Sequence, residues 1–231
     1  MTRSLLKQEA KKQLSKNLGT LILTGLLLGI IKNLPDSFRS FGMTAAISNL
    51  KPPTDLNALA DWFMRITLHP TYQTFSSISI WIGLAVLLFA PVLTLGVHYV
   101  YLKATTEEKP HFSEMFSKMS QFGTAFLTSL LSAIFIILWT LLLIIPGIIA
   151  AYSYSMRYYV LADHPDYSAM DAIRESKGIM KGHKFELFVL QISFIWWILL
   201  CVVTLGLASL YVIPYMEMAK ANFYNKIKEA A

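Results

Sequence analysis

The sequence predicts an all-α polytopic membrane protein: six transmembrane helices arranged as three hairpins, each preceded by a cytoplasmic amphipathic helix. Three observations predict it. Of 231 residues, 55% are hydrophobic and only 15% are charged, against about 25% charged in an ordinary soluble domain. The charges are gathered in blocks with long apolar tracts between them, as a bilayer imposes when ionised side chains are costly in hydrocarbon. Finally, 16 of the 20 Lys and Arg residues fall on one side of the implied topology, the bias that marks the cytoplasmic face.

Four apolar tracts carry the spans: 18–31, 78–102, 122–161 and 185–224. A spanning helix needs roughly 20 residues. The first tract follows Arg3, Lys7, Lys11, Lys12 and Lys16 and so resembles a signal peptide. No small-x-small cleavage site follows it, and it reads as a retained helix. The third and fourth tracts are each about twice the length of one span, and each carries a break. Pro146-Gly147 interrupts the third and Gly206 the fourth, residues that mark turns. The expectation is two tight hairpins, 123–145 with 148–163 and 186–204 with 207–224. A single helix of that length would be about 60 Å long, twice the hydrocarbon thickness.

Between these spans lie an N-terminal amphipathic helix (1–17), an extracytoplasmic loop (33–76) and cytoplasmic amphipathic linkers at 104–121 and 165–184. The loop holds Pro35, Pro52, Pro53 and Pro70, with a short amphipathic helix expected near 55–66. In the linkers, Phe112, Met115, Phe116 and Met119 oppose Glu114 and Lys118. Likewise Met170, Ile173, Ile179 and Met180 oppose Asp171, Arg174, Glu175, Lys177 and Lys181. At the N-terminus Leu6, Ala10, Leu14 and Leu18 oppose the lysines. Apolar residues three to four apart suit an interfacial helix. The two long tracts also align at an offset that pairs Phe126 with Phe185, Phe135 with Phe194, Gly147 with Gly206 and Tyr152 with Tyr211. These are sparse identities, compatible with a threefold repeat or with chance.

The stretch from Ile145 to Met156 (IPGIIAAYSYSM), Met180-Lys181-Gly182-His183-Lys184-Phe185, Ser193-Phe194-Ile195-Trp196-Trp197 and Pro214-Tyr215 resemble a bacterial membrane family known as domain of unknown function 975. The resemblance covers most of the chain outside 33–76. It implies a multi-pass cell-membrane protein of a Gram-positive bacterium and no particular activity.

The residues themselves offer little catalytic chemistry. The five His residues have no paired spacing, and Cys201 is the single cysteine, so no metal site is expected. There is no nucleophile elbow and no phosphate-cradling glycine loop. The net charge of +6 flanks the apolar tracts and forms no separate stripe, which argues against nucleic acid. No cofactor is expected.

What remains is an intramembrane polar set: Arg157, Glu217, Gln191, Tyr154 and Tyr215. Arg157 and Glu217 stand about 14–15 Å from the outer helix ends, near mid-depth. An isolated charge there costs about 2.5–3.5 kcal/mol. Two arrangements relieve it. The two residues face each other in the bundle, or Arg157 snorkels while Glu217 pairs with Lys220 one turn on. Two functions compete. One is a non-enzymatic protein that organises or senses the membrane through lipids, protein partners or a homo-oligomer. The other is a small transporter or exporter of an amphiphilic compound. Both termini are expected in the cytoplasm.

Overall fold

The computed structural model describes residues 3–48, 50–53, 55–106 and 109–229. The remaining eight positions fall at both termini, in the expected outer loop and in the first linker. They lie outside the described residues, and so do the parts of those expectations that fall on them. Every described element is helical: α1 (Arg3–Ser48), α2 (Leu59–Leu68), α3 (Pro70–Thr105), two 3-10 turns (Phe112–Phe116 and Met119–Gln121), α4 (Phe122–Leu142), α5 (Ile144–Ser153), α6 (Arg157–Asp163), α7 (Ala169–Ile179), α8 (Lys184–Ile192), α9 (Ile195–Val203) and α10 (Ser209–Lys228). The chain divides into two compact units, residues 29–90 and residues 1–28 with 91–231.

Among the described residues, four stretches are long and apolar enough to cross a membrane: Arg3–Ser48, Pro70–Thr105, Phe112–Leu142 and Lys184–Val203. They point to a membrane location. Six crossings were expected from the tract lengths. The returning arms are not among these four stretches. The arm after Leu143 is cut into helices of 10 and 7 residues. The last arm, α10, carries Glu217, Lys220, Lys226 and Lys228, which dilute its apolar character.

In residues 29–90 the outer loop expected over 33–76 is mostly helical instead. Helix α1 runs on to Ser48 through Pro35. Pro35 removes one helix donor, and the side chains flanking it both bond carbonyls on its N-terminal side: Asn33 Nδ2 donates to the Gly29 carbonyl (2.7 Å) and the Ser37 hydroxyl to the Asn33 carbonyl (2.9 Å). The Phe75 ring meets Phe41 at 5.0 Å and Phe38 at 6.4 Å. Helix α2 buries Ile66, and Asp61 pairs with Arg65 at 2.8 Å on its surface.

In the larger unit, α1 is broken at Asn17, whose φ and ψ of −126° and 21° are not helical. The basic segment before the break buries Leu6, Ala10 and Leu14 against the protein itself. The linker expected to be an amphipathic helix over 104–121 is instead the two 3-10 turns. Its faces are also partly exchanged: Met115 and Lys118 are buried, whereas Phe116 and Met119 are exposed. Lys118 is held inward because its Nζ donates to the Ala162 carbonyl (3.3 Å) and lies over the Tyr99 ring (4.2 Å). Helix α7 buries Ala172, Ile173, Ser176 and Ile179 and exposes its charges. A capping box starts it, Ser168 and Asp171 each bonding the other's backbone N–H. The Ser168 hydroxyl holds the Asp171 carboxyl below its ordinary range, as hydrogen bonding to a carboxylate does.

Helix α5 runs back along α4, with Phe135 of α4 on Tyr154 just past the end of α5 (6.1 Å). The turn is at Leu143, three residues before the expected Pro146-Gly147. Pro146 falls in the first turn of α5, where a missing N–H is not needed. Gly147 has a packing role: a Cβ there would lie 2.2 Å from Thr140 Oγ1 and 2.8 Å from its Cα. Helix α10 runs back along α9 in the same way, with Trp197 on Tyr211 (6.2 Å) and Phe194, beside α9, on Tyr215 (5.1 Å). That turn does use its glycine, with Gly206 at φ 90° following Leu205 at φ 50°.

Gly147→Ala is expected to lower stability in detergent by about 1–3 kcal/mol through overpacking. Gly123→Ala, where nothing lies within 4 Å of the added methyl, leaves it unchanged. Denaturant titration followed by tryptophan fluorescence measures both.

Candidate functional site

Several polar and aromatic contacts of the larger unit meet at α6. Tight turns over 154–156 end α5, and Arg157 opens α6. Its guanidinium donates to the Tyr154 carbonyl (2.9 Å) and lies over the Tyr158 ring (4.8 Å). A cation at a helix C-terminus meets the negative end of the dipole and an orphan carbonyl, so Arg157 closes α5. Its Nε is buried without a hydrogen-bond partner among the described residues.

Glu217 on α10 takes Lys220 as its ion partner, at 2.7 Å. This is the second arrangement the sequence left open, and the spacing of three residues on one helix explains it. The facing Arg157–Glu217 pair is not the contact observed. Instead the Tyr159 hydroxyl donates to the Glu217 carbonyl (3.2 Å) and reaches Oε2 at 3.5 Å. His98 of α3 stands edge-on to Tyr159 at 4.6 Å, and its Nδ1 is 2.7 Å from the Thr94 carbonyl. A carbonyl only accepts, so that nitrogen carries the proton.

Further toward the C-terminus, Tyr224 stacks on Tyr159 (5.6 Å) and donates to Asp163 Oδ2 (2.9 Å), which also pairs with Lys228. Asn222 donates to Gln13 Oε1 (2.7 Å), and Gln13 donates to the Thr105 carbonyl (3.2 Å). Asn225 donates to Thr105 Oγ1 (2.8 Å). Tyr101 donates to the Leu21 carbonyl (3.1 Å). A continuous polar and aromatic belt thus ties α1, α3, α6 and α10 together.

The other residues singled out from sequence lie elsewhere. Gln191 accepts from the Tyr152 hydroxyl (2.8 Å), linking α8 to α5. Tyr154 is buried with Ala150 and Ile173. The Tyr215 hydroxyl donates to the Lys7 carbonyl (3.3 Å), and its ring meets Phe194 and Trp197. Of the five, Arg157 and Tyr154 meet, while Gln191, Tyr215 and Glu217 form separate joints, so they make no single site. Sequence reasoning named Tyr159 only among the aromatics able to point inward, missed Gln13 and Asn222, and placed Lys118 on the wrong face. Each is an isolated polar or aromatic residue whose partner is far away in the chain, so local spacing carried no signal.

Among the described residues, no group of three His, Cys, Asp or Glu is placed to hold a metal ion. One cavity of about 440 Å³ is lined by Arg3, Leu6, Phe185, Glu186, Phe223 and Lys226, among others. A second, of about 450 Å³, lies between Glu9, Gln13, Lys16, Thr105 and Lys109.

A family model described as "Protein of unknown function (DUF975)" matches residues 1–146 and 140–231. No curated protein and no solved structure matches the chain.

A double-mutant cycle of Glu217→Gln with Lys220→Gln is expected to show a coupling of about 1 kcal/mol, as for a half-buried ion pair. The cycle with Arg157→Gln should be additive within about 0.5 kcal/mol. Unfolding free energies in mixed micelles provide the readout, and a coupling to Arg157 as large as that to Lys220 would contradict the geometry.

Proposed function

We propose that this chain, which belongs to the DUF975 family of proteins of unknown function, is a non-enzymatic multi-pass protein of the bacterial cell membrane that organises or senses the membrane through anionic lipids, with both termini in the cytoplasm. The observation that carries this reading is how its amphipathic helices are used. The first segment of α1 and the whole of α7 turn their apolar faces onto the protein: Leu6, Ala10, Leu14, Ile173 and Ile179 are buried. Most of their basic residues point outward, with Lys11, Lys12, Arg174 and Lys177 exposed, as is Lys181 just past α7, while Lys7 turns inward onto Ser193 and Phe194.

This arrangement changes the kind of membrane contact available. A free amphipathic helix inserts its apolar face into lipid. Here that face is already occupied, so attraction to a leaflet is electrostatic and screened by salt. A fixed basic surface of this kind suits anionic headgroups. Protein partners or a second copy of the chain remain compatible with the same surface.

The second reading, a transporter or exporter of an amphiphilic compound, would use the polar groups inside the bundle. Gln191, Tyr215 and Glu217 each hold a hydrogen bond or ion pair within the protein. That weighs toward structural roles for them.

Gentle extraction and native mass spectrometry test the proposal. The wild-type protein should carry anionic lipid in preference to zwitterionic lipid. The variant Lys11→Gln, Lys12→Gln, Lys177→Gln, Lys181→Gln should carry severalfold less. Equal retention by the two proteins would sink the lipid reading.

A further inference from the structure

The membrane reading above leaves a geometric question: where the two helix pairs α4/α5 and α9/α10 end. We propose that both pairs enter the membrane from the cytoplasmic side and turn inside the hydrocarbon, so that their tips rest against acyl chains and never reach the far-side water. The inference rests on the membrane location argued above.

The tips expose contiguous apolar surface. Leu141 to Ile145 are 64–79% exposed, and Val202, Val203, Leu205 and Leu207 are 69–95% exposed. Neither tip carries an ionisable side chain. An aqueous turn would be expected to hold polar and charged residues, whereas contiguous exposed apolar surface calls for an apolar partner.

Backbone groups at the second tip find partners within the chain, which suits hydrocarbon, whereas at the first tip no side chain caps the start of α5. At the second tip Gly206 N–H donates to the Cys201 carbonyl (2.7 Å), Leu205 to Val202 and Leu207 to Thr204. The two hydroxyls there are used the same way. Thr204 Oγ1 donates to the Leu200 carbonyl and accepts from Ala208 N–H (3.0 Å), and Ser209 Oγ donates to the Gly206 carbonyl (2.6 Å). At the first tip Leu143 N–H donates to Trp139, Gly147 N–H to Leu143, and Thr140 Oγ1 to the Ile136 carbonyl.

The depth is set by the charged helices packed on each pair. Ile173 of α7 packs with Ala150, Tyr154, Leu131 and Phe135, while its neighbours Arg174 and Glu175 face solvent. From that level to Leu143 is about 10–17 Å at 1.5 Å per residue. On the other pair Lys7 donates to the Ser193 carbonyl (2.7 Å) and lies over Phe194, and the Lys7 carbonyl accepts from Tyr215. From that level to Leu205 and Leu207 is about 12–17 Å. Each pair thus protrudes about half of a hydrocarbon core of about 30 Å. Arg157 and Glu217 then lie at the cytoplasmic interface and not at mid-depth.

The test uses the full chain in liposomes, with Cys201→Ala as background and single cysteines Leu142→Cys or Leu207→Cys carrying a nitroxide. Arg174→Cys and Lys51→Cys serve as water-exposed references. The proposal expects both tip labels to be accessible to oxygen, inaccessible to a water-soluble nickel chelate, and located near the bilayer centre. It also expects no reaction of the tip cysteines with an impermeant maleimide added to intact cells. Nickel access comparable to Lys51, a depth at the far headgroups, or maleimide labelling overturns it. Membrane residence is scored separately by alkaline carbonate extraction. A protein released by carbonate would defeat the membrane reading itself, and a retained protein with wet tips would defeat only this inference.

Discussion

Tyr159 makes the interaction on which the larger unit depends. It sits on α6, a helix of only seven residues, and reaches three other groups at once. Its hydroxyl bonds the α10 backbone at Glu217, its face stacks on Tyr224, and its edge meets His98 of α3. The residues around it on α6, Tyr158, Val160, Leu161 and Ala162, are all buried. A buried polar atom left unpaired costs about 1–3 kcal/mol, so a hydroxyl at this point must find a partner. The α10 carbonyl supplies it. The same rule explains the belt below, where Gln13, Asn222, Asn225 and Thr105 satisfy one another across α1, α3 and α10.

Around that hub the two apolar helix pairs are built on one plan with different local solutions. Phe135 and Phe194 occupy equivalent positions, and each packs against a tyrosine on the returning strand of chain, Tyr154 and Tyr215. The turns differ. The first reverses at an extended Leu143 and brings Gly147 onto Thr140. The second reverses through left-handed Leu205 and Gly206. The alignment of the two glycines therefore reflects the position of the reversal and not one shared backbone conformation.

Much of the architecture was legible because hydrophobic length and charge blocks are local signals. The all-α class, the two reversals within the long tracts and the amphipathic character of α7 all follow from such signals. Other features were hidden because their causes are distant. Residues 33–48 contain a proline and several polar groups and so read as loop, but they continue helix α1, with Phe38 and Phe41 packed on the distant Phe75. Lys118 reads as surface until the Ala162 carbonyl and the Tyr99 ring are seen to hold it inward. Glu217 has Lys220 one turn away, visible in the sequence, and depth alone left a distant Arg157 open as the less favoured partner. Partner choice inside a bundle is a tertiary property that spacing does not encode.

The central claim is that α6, through Tyr159, holds the bundle, while the large aromatics facing outward contribute little to it. Unfolding free energies in mixed micelles for Tyr159→Ala and Trp196→Ala test it most directly. Tyr159 is 1% exposed and Trp196 77% exposed. The account predicts a loss of about 3–5 kcal/mol for Tyr159→Ala, as for a large buried side chain, and less than about 1 kcal/mol for Trp196→Ala. Equal losses, or a larger loss at Trp196, would contradict it.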